Sequence, residues 1–378
     1  MRRFLLIGLF LTLTASAAFG EDEKRPQQTE QKIAADSSVT VSLCLLAGDV
    51  KVEGWERNEV LARSYEGATI ELRRGYSGIE SKPAAKIQIL VTDKDDGARS
   101  SGGCQSSSSV ELMVPRGATV QVQTRDGNIH ITGVATAYAG TQNGDINVER
   151  VTRVIEVGTI GGNVSVNDSS GRMDLNSIGG NVVVHNARPV NPDDEFEATS
   201  VSGDLELEGV TFAQMNLRTV NGNMRMVGPL VSGGHYGINT MSGDVTLSLP
   251  SDASFQLHAK VSSGADIITD FPLTLLTEAS PVSKPAKAMP PSVVTPPQPA
   301  TQRPASMTPA STPEPPDPPQ TPEPQPTPGV VVKPAPKVKI KPEKHSIHSL
   351  RRLSAICGSG DAIISLASFS GTLHLQKN

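Results

Sequence analysis

Three groups of residues in this chain have the types for chemistry, so each is weighed against its simpler reading. Asp193, Asp194 and Glu195 sit together beside Pro189 and Pro192. Glycoside cleavage wants two carboxylates facing one another across a cleft. Consecutive carboxylates point in different directions, so this cluster reads as a charged surface loop. The histidines are His130, His185, His235, His258, His345, His348 and His374, with no i, i+4 pair to place a metal on a helix. His345 and His348 come nearest to a weak metal pair, and surface histidine is the simpler reading. No G-x-S-x-G elbow accompanies the many serines. The GGN steps at Gly161 and Gly179 look like phosphate loops but lie between strands and lack the following helix. No catalytic, cofactor-binding or metal-binding residue is assigned, and no cofactor is expected.

The third arrangement is periodic. Asn128, Asp145, Asn163, Asn181, Asp204, Asn223 and Asp244 each follow a glycine, and four of the seven are neutral. Calcium-binding β-rolls stack carboxylates at Gly-rich corners, but a hard cation wants several carboxylates per site. Corner hydrogen bonding is therefore preferred over calcium. The three cysteines, Cys44, Cys104 and Cys357, are too few for a disulfide scaffold. Cys44 and Cys104 are favoured as a pair by sequence proximity alone, with buried thiols as the alternative.

The elements that carry these residues repeat. A Ser or Thr, two variable residues, Gly, Asp or Asn, then apolar-x-apolar recurs as TRDGNIHI from Thr124, TQNGDINV from Thr141 and TIGGNVSV from Thr159. It continues as SIGGNVVV from Ser177, SVSGDLEL from Ser200, TVNGNMRM from Thr219 and TMSGDVTL from Thr240. Looser copies start at Val261 and Ser368, and an outlying LLAGDVKV starts at Leu45. Glycines 127, 144, 162, 180, 203, 222, 243 and 264 recur at a short, nearly regular interval, the sign of a repeat architecture. Apolar alternation on both sides of each Gly means strands with one buried face, and the Gly marks a corner at positive φ. A period near 20 predicts an all-β solenoid of coils, β-helix-like in form. The alternative is a meander with two-residue hairpin turns such as Asn143-Gly144. Upstream, 39–52, 60–63, 68–72, 87–91 and 110–114 read as strands, and 94–109 as a polar loop.

Arg2 and Arg3, an apolar run from Phe4 to Leu13 and a small-x-small site at Ala18-Phe19-Gly20 read as a cleavable signal over residues 1–20. Export to the periplasm, cell envelope or extracellular space is expected, with no transmembrane span after cleavage. Residues 21–37 read as a flexible leader, 38–273 as the repetitive β domain and 346–378 as its closing β segment, forming a last coil or cap. Between them, 274–345 reads as a disordered insert, because 21 of the 29 prolines fall between Pro281 and Pro342. After Pro328 the chain turns basic through Lys333, Lys337, Lys339, Lys341, Lys344, Arg351 and Arg352, which reads as a solvated linker or as a contact for anionic polymer or headgroups. A net charge of −5 argues against nucleic acid, and 8 Phe, 4 Tyr and 1 Trp make poor aromatic girdles for a membrane barrel.

GDVKVEGW at 48–55, the serial Gly-Asp/Asn repeats, DFPL at 270–273 and GSGDAIISLASFSGTLHL at 358–375 resemble a bacterial family of β-strand-repeat domains labelled putative adhesins, largely of unknown function. The resemblance spans residues 38–378 apart from the insert. It implies an exported, envelope-facing all-β protein with a β-helix-like fold, and it carries over no catalytic residue. The expected function is a non-enzymatic binding or structural module whose partner is a glycan, peptidoglycan or protein, with self-association through open end coils as a further option. The alternative is an enzyme acting on polysaccharide.

Overall fold

The computed structural model describes residues 28–65, 67–75, 82–93, 104, 106–262, 266–276 and 351–378. Two compact units divide the chain, one holding 1–278 with 348–378 and the other 279–347; the described residues all belong to the first. The expected signal (1–20), most of the proline-rich insert, the lysines of the basic run, His345, His348 and most of the 94–109 loop lie outside the described residues. Among those described there is no helix, and so none long and apolar enough to cross a membrane.

Six strands precede the regular repeats: β1 (Thr29–Ala47), β2 (Val50–Trp55), β3 (Glu59–Ser64), β4 (Thr69–Arg74), β5 (Ala84–Thr92) and β6 (Val110–Pro115). The repeats then contribute two strands each. They are β7 (Thr119–Asp126) with β8 (Ile129–Thr132), β9 (Thr136–Thr141) with β10 (Ile146–Glu149), β11 (Val154–Thr159) with β12 (Val164–Asn167), and β13 (Arg172–Ser177) with β14 (Val182–His185). Three more follow: β15 (Glu195–Ser200) with β16 (Leu205–Glu208), β17 (Gln214–Asn221) with β18 (Met224–Val227), and β19 (His235–Ser242) with β20 (Val245–Leu249). The chain continues through β21 (Phe255–Val261), β22 (Ile267–Thr269) and β23 (Thr274–Leu275), then returns as β24 (Arg351–Cys357), β25 (Ala362–Ser370) and β26 (Leu373–Lys377).

Each repeat is one turn of a solenoid. β11 pairs in parallel with β9 and β13, while β12 pairs in parallel with β10 and β14. The hairpin meander is overturned by this pairing: Asn143-Gly144 carries the chain from β9 to β10, which lie in different sheets. Inward-facing aliphatic side chains stack coil on coil. Ile155, Val157, Val164 and Val166 lie under Met173, Leu175, Val182 and Val184 of the next turn, all fully buried. In the repeat widened by the 186–194 loop, Phe196 packs on Phe212 with ring centroids 5.4 Å apart.

The corner phrase has a mechanical explanation that differs from the one expected. Gly127, Gly144 and Gly243 do take positive φ, but Gly162, Gly180, Gly203 and Gly222 do not. What they share is close approach: a Cβ on Gly162 would stand 1.9 Å from the Gly144 carbonyl oxygen, and one on Gly203 would stand 2.1 Å from that of Gly180. Apart from Thr124 and Thr240, whose buried hydroxyls have no partner among the described residues, the Ser or Thr three residues earlier (Thr141, Thr159, Ser177, Ser200 and Thr219) is buried and donates to the corner glycine of the preceding coil, as Ser177 Oγ does to Gly162 O (2.8 Å) and Thr159 Oγ1 to Gly144 O (2.9 Å). A buried hydroxyl needs such a partner.

The first and last strands of the described residues are threaded inward. β1 lies between β5 and β7, and β2 between β6 and β8, all parallel. So the outlying copy at Leu45 is the coil next to Thr124, and Gly48 lies under Gly127. At the other end β25 lies between β19 and β21, and β26 between β20 and β22. The closing segment is therefore the penultimate coil rather than the last. Antiparallel strands flank the stack: β3 on β1 and β6, β4 on β5, and β24 on β21. Residues 29–37, expected in the flexible leader, belong to β1, with Thr29–Ala34 pairing antiparallel to β3. Exposed Glu30, Gln31 and Lys32 give that stretch no apolar alternation; backbone pairing and a 2.8 Å ion pair between Glu30 and Arg63 hold it.

Candidate functional site

The aspartate and asparagine ladder is occupied by its own backbone. Asp49 Oδ1 accepts the Asn128 N–H (2.8 Å), Asn128 Oδ1 that of Asp145 (2.9 Å), and Asp145 Oδ1 that of Asn163 (2.7 Å). The chain of bonds continues through Asn181, Asp204, Asn223 and Asp244 to the Thr372 N–H. Every aspartate in the ladder has a neutral neighbour, so no two of its carboxylates are adjacent. Asn128 and Asn163 also point an amide N–H at Asp49 and Asp145, each at 3.2 Å. Corner hydrogen bonding thus accounts for these side chains.

The acidic cluster is also used locally. Asp194 Oδ2 accepts the N–H groups of Val190 and Asn191, both at 2.8 Å, which closes the widened loop. Burial alone would raise its carboxyl, but these bonds and one from the Asn191 side chain outweigh that and hold it below the usual carboxylate range. Asp193 and Glu195 face solvent, and neither opposes Asp194 across a cleft. Among the described residues, no three His, Cys, Asp or Glu side chains come together to hold a metal.

A groove lies elsewhere, on the outer face formed by β5, β1, β7, β9, β11 and β13. Register sets two outward rows there. One runs Leu90, Cys44, Gln123, Gly140, Gly158, Asn176, and the other Gln88, Ser42, Gln121, Tyr138, Glu156, Asp174. Gly140 and Gly158 leave the first row without side chains, and a groove of about 760 Å³ opens over them. Both glycines sit outside the left-handed region, and a Cβ would meet Gln123 Nε2 at 3.5 Å or Asn176 Cβ at 3.7 Å, which is ordinary contact. Their smallness therefore supplies room rather than backbone freedom. Tyr138 offers a half-buried ring, and Gln88, Gln121, Gln123 and Asn176 offer amides that both donate and accept. Among the described residues only one carboxylate, Glu156, lines the groove.

One rim is anchored twice. Cys104 lies over Cys44 at a Cα–Cα distance of 4.8 Å, with the two sulfurs in bonding contact. Beside it, Asp93 accepts hydrogen bonds from Ser107 N–H and Ser108 Oγ, both at 2.8 Å, and from Ser106 Oγ. Burial would raise the Asp93 carboxyl, yet these bonds prevail and hold it below the usual range. Cys357 is a buried thiol, pushed up by burial. A different surface feature follows the corner: Ile160, Ile178, Val201, Val220, Met241 and Phe369 are exposed and stacked on six consecutive coils. Sequence reasoning passed over the groove. Its signal was two glycines at outward strand positions of adjacent repeats, flanked by Gln123 and Asn176.

The family described as Toastrack DUF4097 matches residues 77–274, more than half of the chain. Three solved structures are similar. A putative adhesin from Parabacteroides merdae is 11% identical with a TM-score of 0.37, covering 59% of this chain and 90% of that one. One from Parabacteroides distasonis is 13% identical with a TM-score of 0.34 and the same coverage, 59% and 90%. A putative cell adhesion protein from Clostridium sporogenes is 8% identical with a TM-score of 0.20, covering 93% of this chain and 100% of that one. No curated protein matches the chain.

Proposed function

We propose that this chain, which belongs to the Toastrack DUF4097 family, is an exported, non-enzymatic binding module of the cell envelope that holds an extended ligand in the Tyr138 groove. The groove carries this reading. A trough floored by Gly140 and Gly158, with a ring on one side and amides along both rows, suits the alternating apolar faces and hydroxyls of a glycan chain, peptidoglycan included. The single lining carboxylate among the described residues is one short of the pair that glycoside hydrolysis needs. The proline-rich stretch serves in this reading as a spacer to another envelope component.

Filling the trough tests it. Gly158→Gln adds a side chain where backbone and neighbours accept one, so the fold should melt within a few degrees of wild type. Binding on a glycan, peptidoglycan and matrix-protein array should drop about tenfold, equivalent to about 1.4 kcal/mol. Equal binding by Gly158→Gln and wild type would remove the groove from the function.

Export and the rim bridge share one measurement. The signal reading of residues 1–20 and the Cys44–Cys104 contact together lead us to expect a secreted product that begins at Glu21. It should weigh two hydrogens less than its reduced form. An intact mass that retains residues 1–20, or one unchanged by reduction, would refute the corresponding half.

A further inference from the structure

The outer face that carries the groove changes sign along its length. Glu156, Asp174 and Glu197 stand in register on β11, β13 and β15. Four strands at the far end, β19, β25, β21 and β24, contain no Asp or Glu. Register again sets two outward rows. Asn239, Ala367, Lys260 and Arg352 form one, and Gly237, Ser365, His258 and Ser354 form the other. The small residues on β19 and β25 leave a groove of about 350 Å³ beside the taller cations, and no carboxylate among the described residues lines it.

Lys260 and Arg352 are direct partners across an antiparallel pair, which sets their Cα atoms about 4.5 to 5.5 Å apart. Like charges so placed repel. Neither takes part in an ion pair among the described residues. His258 Nδ1 lies 3.2 Å from Ser354 Oγ on the same strand pair, bringing an imidazole and a hydroxyl to the same edge. Two fixed cations on adjacent strands, with hydroxyls from Ser354 and Ser365, match a tetrahedral oxyanion whose oxygens face several directions at once. An anion bound there turns the cross-strand repulsion into shared attraction.

We propose that this second groove is a phosphate-binding site, with Lys260 and Arg352 straddling the anion and Ser354 and Ser365 donating to it. The phosphate group arrives either free or as a lipid headgroup. The site is separate from the Tyr138 groove and does not depend on its ligand.

The test uses the full mature chain at low salt, where exposed charges are least screened. Inorganic phosphate titrated into wild type, followed by calorimetry, should give saturable binding. Binding should weaken at least tenfold in Lys260→Gln/Arg352→Gln and in Ala367→Leu, which fills the floor without touching charge. The melting point of the charge variant should be equal to or above wild type, since repulsion has been removed. Absence of phosphate binding by wild type, or undiminished binding by both variants, would overturn the site. A second arm sediments the protein with vesicles of phosphatidylcholine alone or with added phosphatidylglycerol. Retention only on the anionic vesicles, lost in the charge variant, assigns a headgroup; phosphate binding without vesicle retention assigns the free anion.

Discussion

Gly180→Ala is expected to destabilise the solenoid by about 3 kcal/mol, at the upper end of what overpacking causes. The added Cβ would stand 2.1 Å from the Gly162 carbonyl oxygen and 2.5 Å from its carbon. Both are backbone atoms of the coil beneath and cannot rotate away as a side chain would. Any shift also strains two ladders that meet there. Ser200 Oγ donates to Gly180 O at 3.0 Å, and the adjacent Asn181 N–H is held by Asn163 Oδ1 at 2.9 Å. Gly158→Ala is the matched control, because its Cβ meets nothing nearer than 3.7 Å. It should change stability by less than about 0.5 kcal/mol. Stacked repeats need not unfold in one step, so hydrogen exchange across β13 to β16 should accompany the melting curves. Equal behaviour of the two variants would show that coil spacing is not limited by the glycine contact.

Removal of residues 351–378 should have a larger effect still. β25 and β26 supply Ile364, Leu366, Leu373 and Leu375 to the core, all fully buried, between β19 and β20 on one side and β21 and β22 on the other. At about 1.5 to 3 kcal/mol per buried aliphatic side chain, their loss is of the order of the stability of a whole domain. β21 would lose both of its neighbours, β25 and β24. The truncated chain should be digested from β19 onward under limited proteolysis, while β7 to β14 stay protected. Deletion of 281–342, by contrast, should leave the thermal transition in place if that stretch is a spacer. A truncated chain with the full transition would mean that the threaded coil is dispensable.

What could be read from the sequence was local. The Ser or Thr, the Gly and the Asx of each repeat announce the solenoid because each meets a neighbouring coil about one period away, the Gly and most of the Ser or Thr residues the coil below and the Asx the coil above. The apolar stripe was equally visible, since Ile160, Ile178, Val201, Val220, Met241 and Phe369 all follow the Ser or Thr of their repeat. Spatial order was not visible. The copy at Ser368 follows that at Thr240 in the stack, although β20 to β24 and the proline-rich stretch come between them in the chain. No short-range pattern encodes such threading. β1 began earlier than expected because its first residues are held by backbone pairing and carry no buried face. The positive φ expected at the corner glycines holds at Gly127, Gly144 and Gly243 but not at Gly162, Gly180, Gly203 and Gly222; what they share, close approach, was not visible because φ is a property of one residue and close approach is a property of two coils. The groove escaped notice because it is made of side chains that are missing.

The ladder of Asp49, Asn128, Asp145, Asn163, Asn181, Asp204, Asn223 and Asp244 also limits how such a protein can change its number of repeats. A gene losing the repeat of Asn128 would bring Asp49 against Asp145, and one losing that of Asn223 would bring Asp204 against Asp244. Losing the repeat of Asn163 or of Asn181 leaves one amide between Asp145 and Asp204. Only the repeats of Asn128 and Asn223 are thus ones whose loss brings carboxylates together, while any other repeat of the ladder can be dropped with the carboxylates still apart, and the copies, alike in their phrase, are not interchangeable in inheritance.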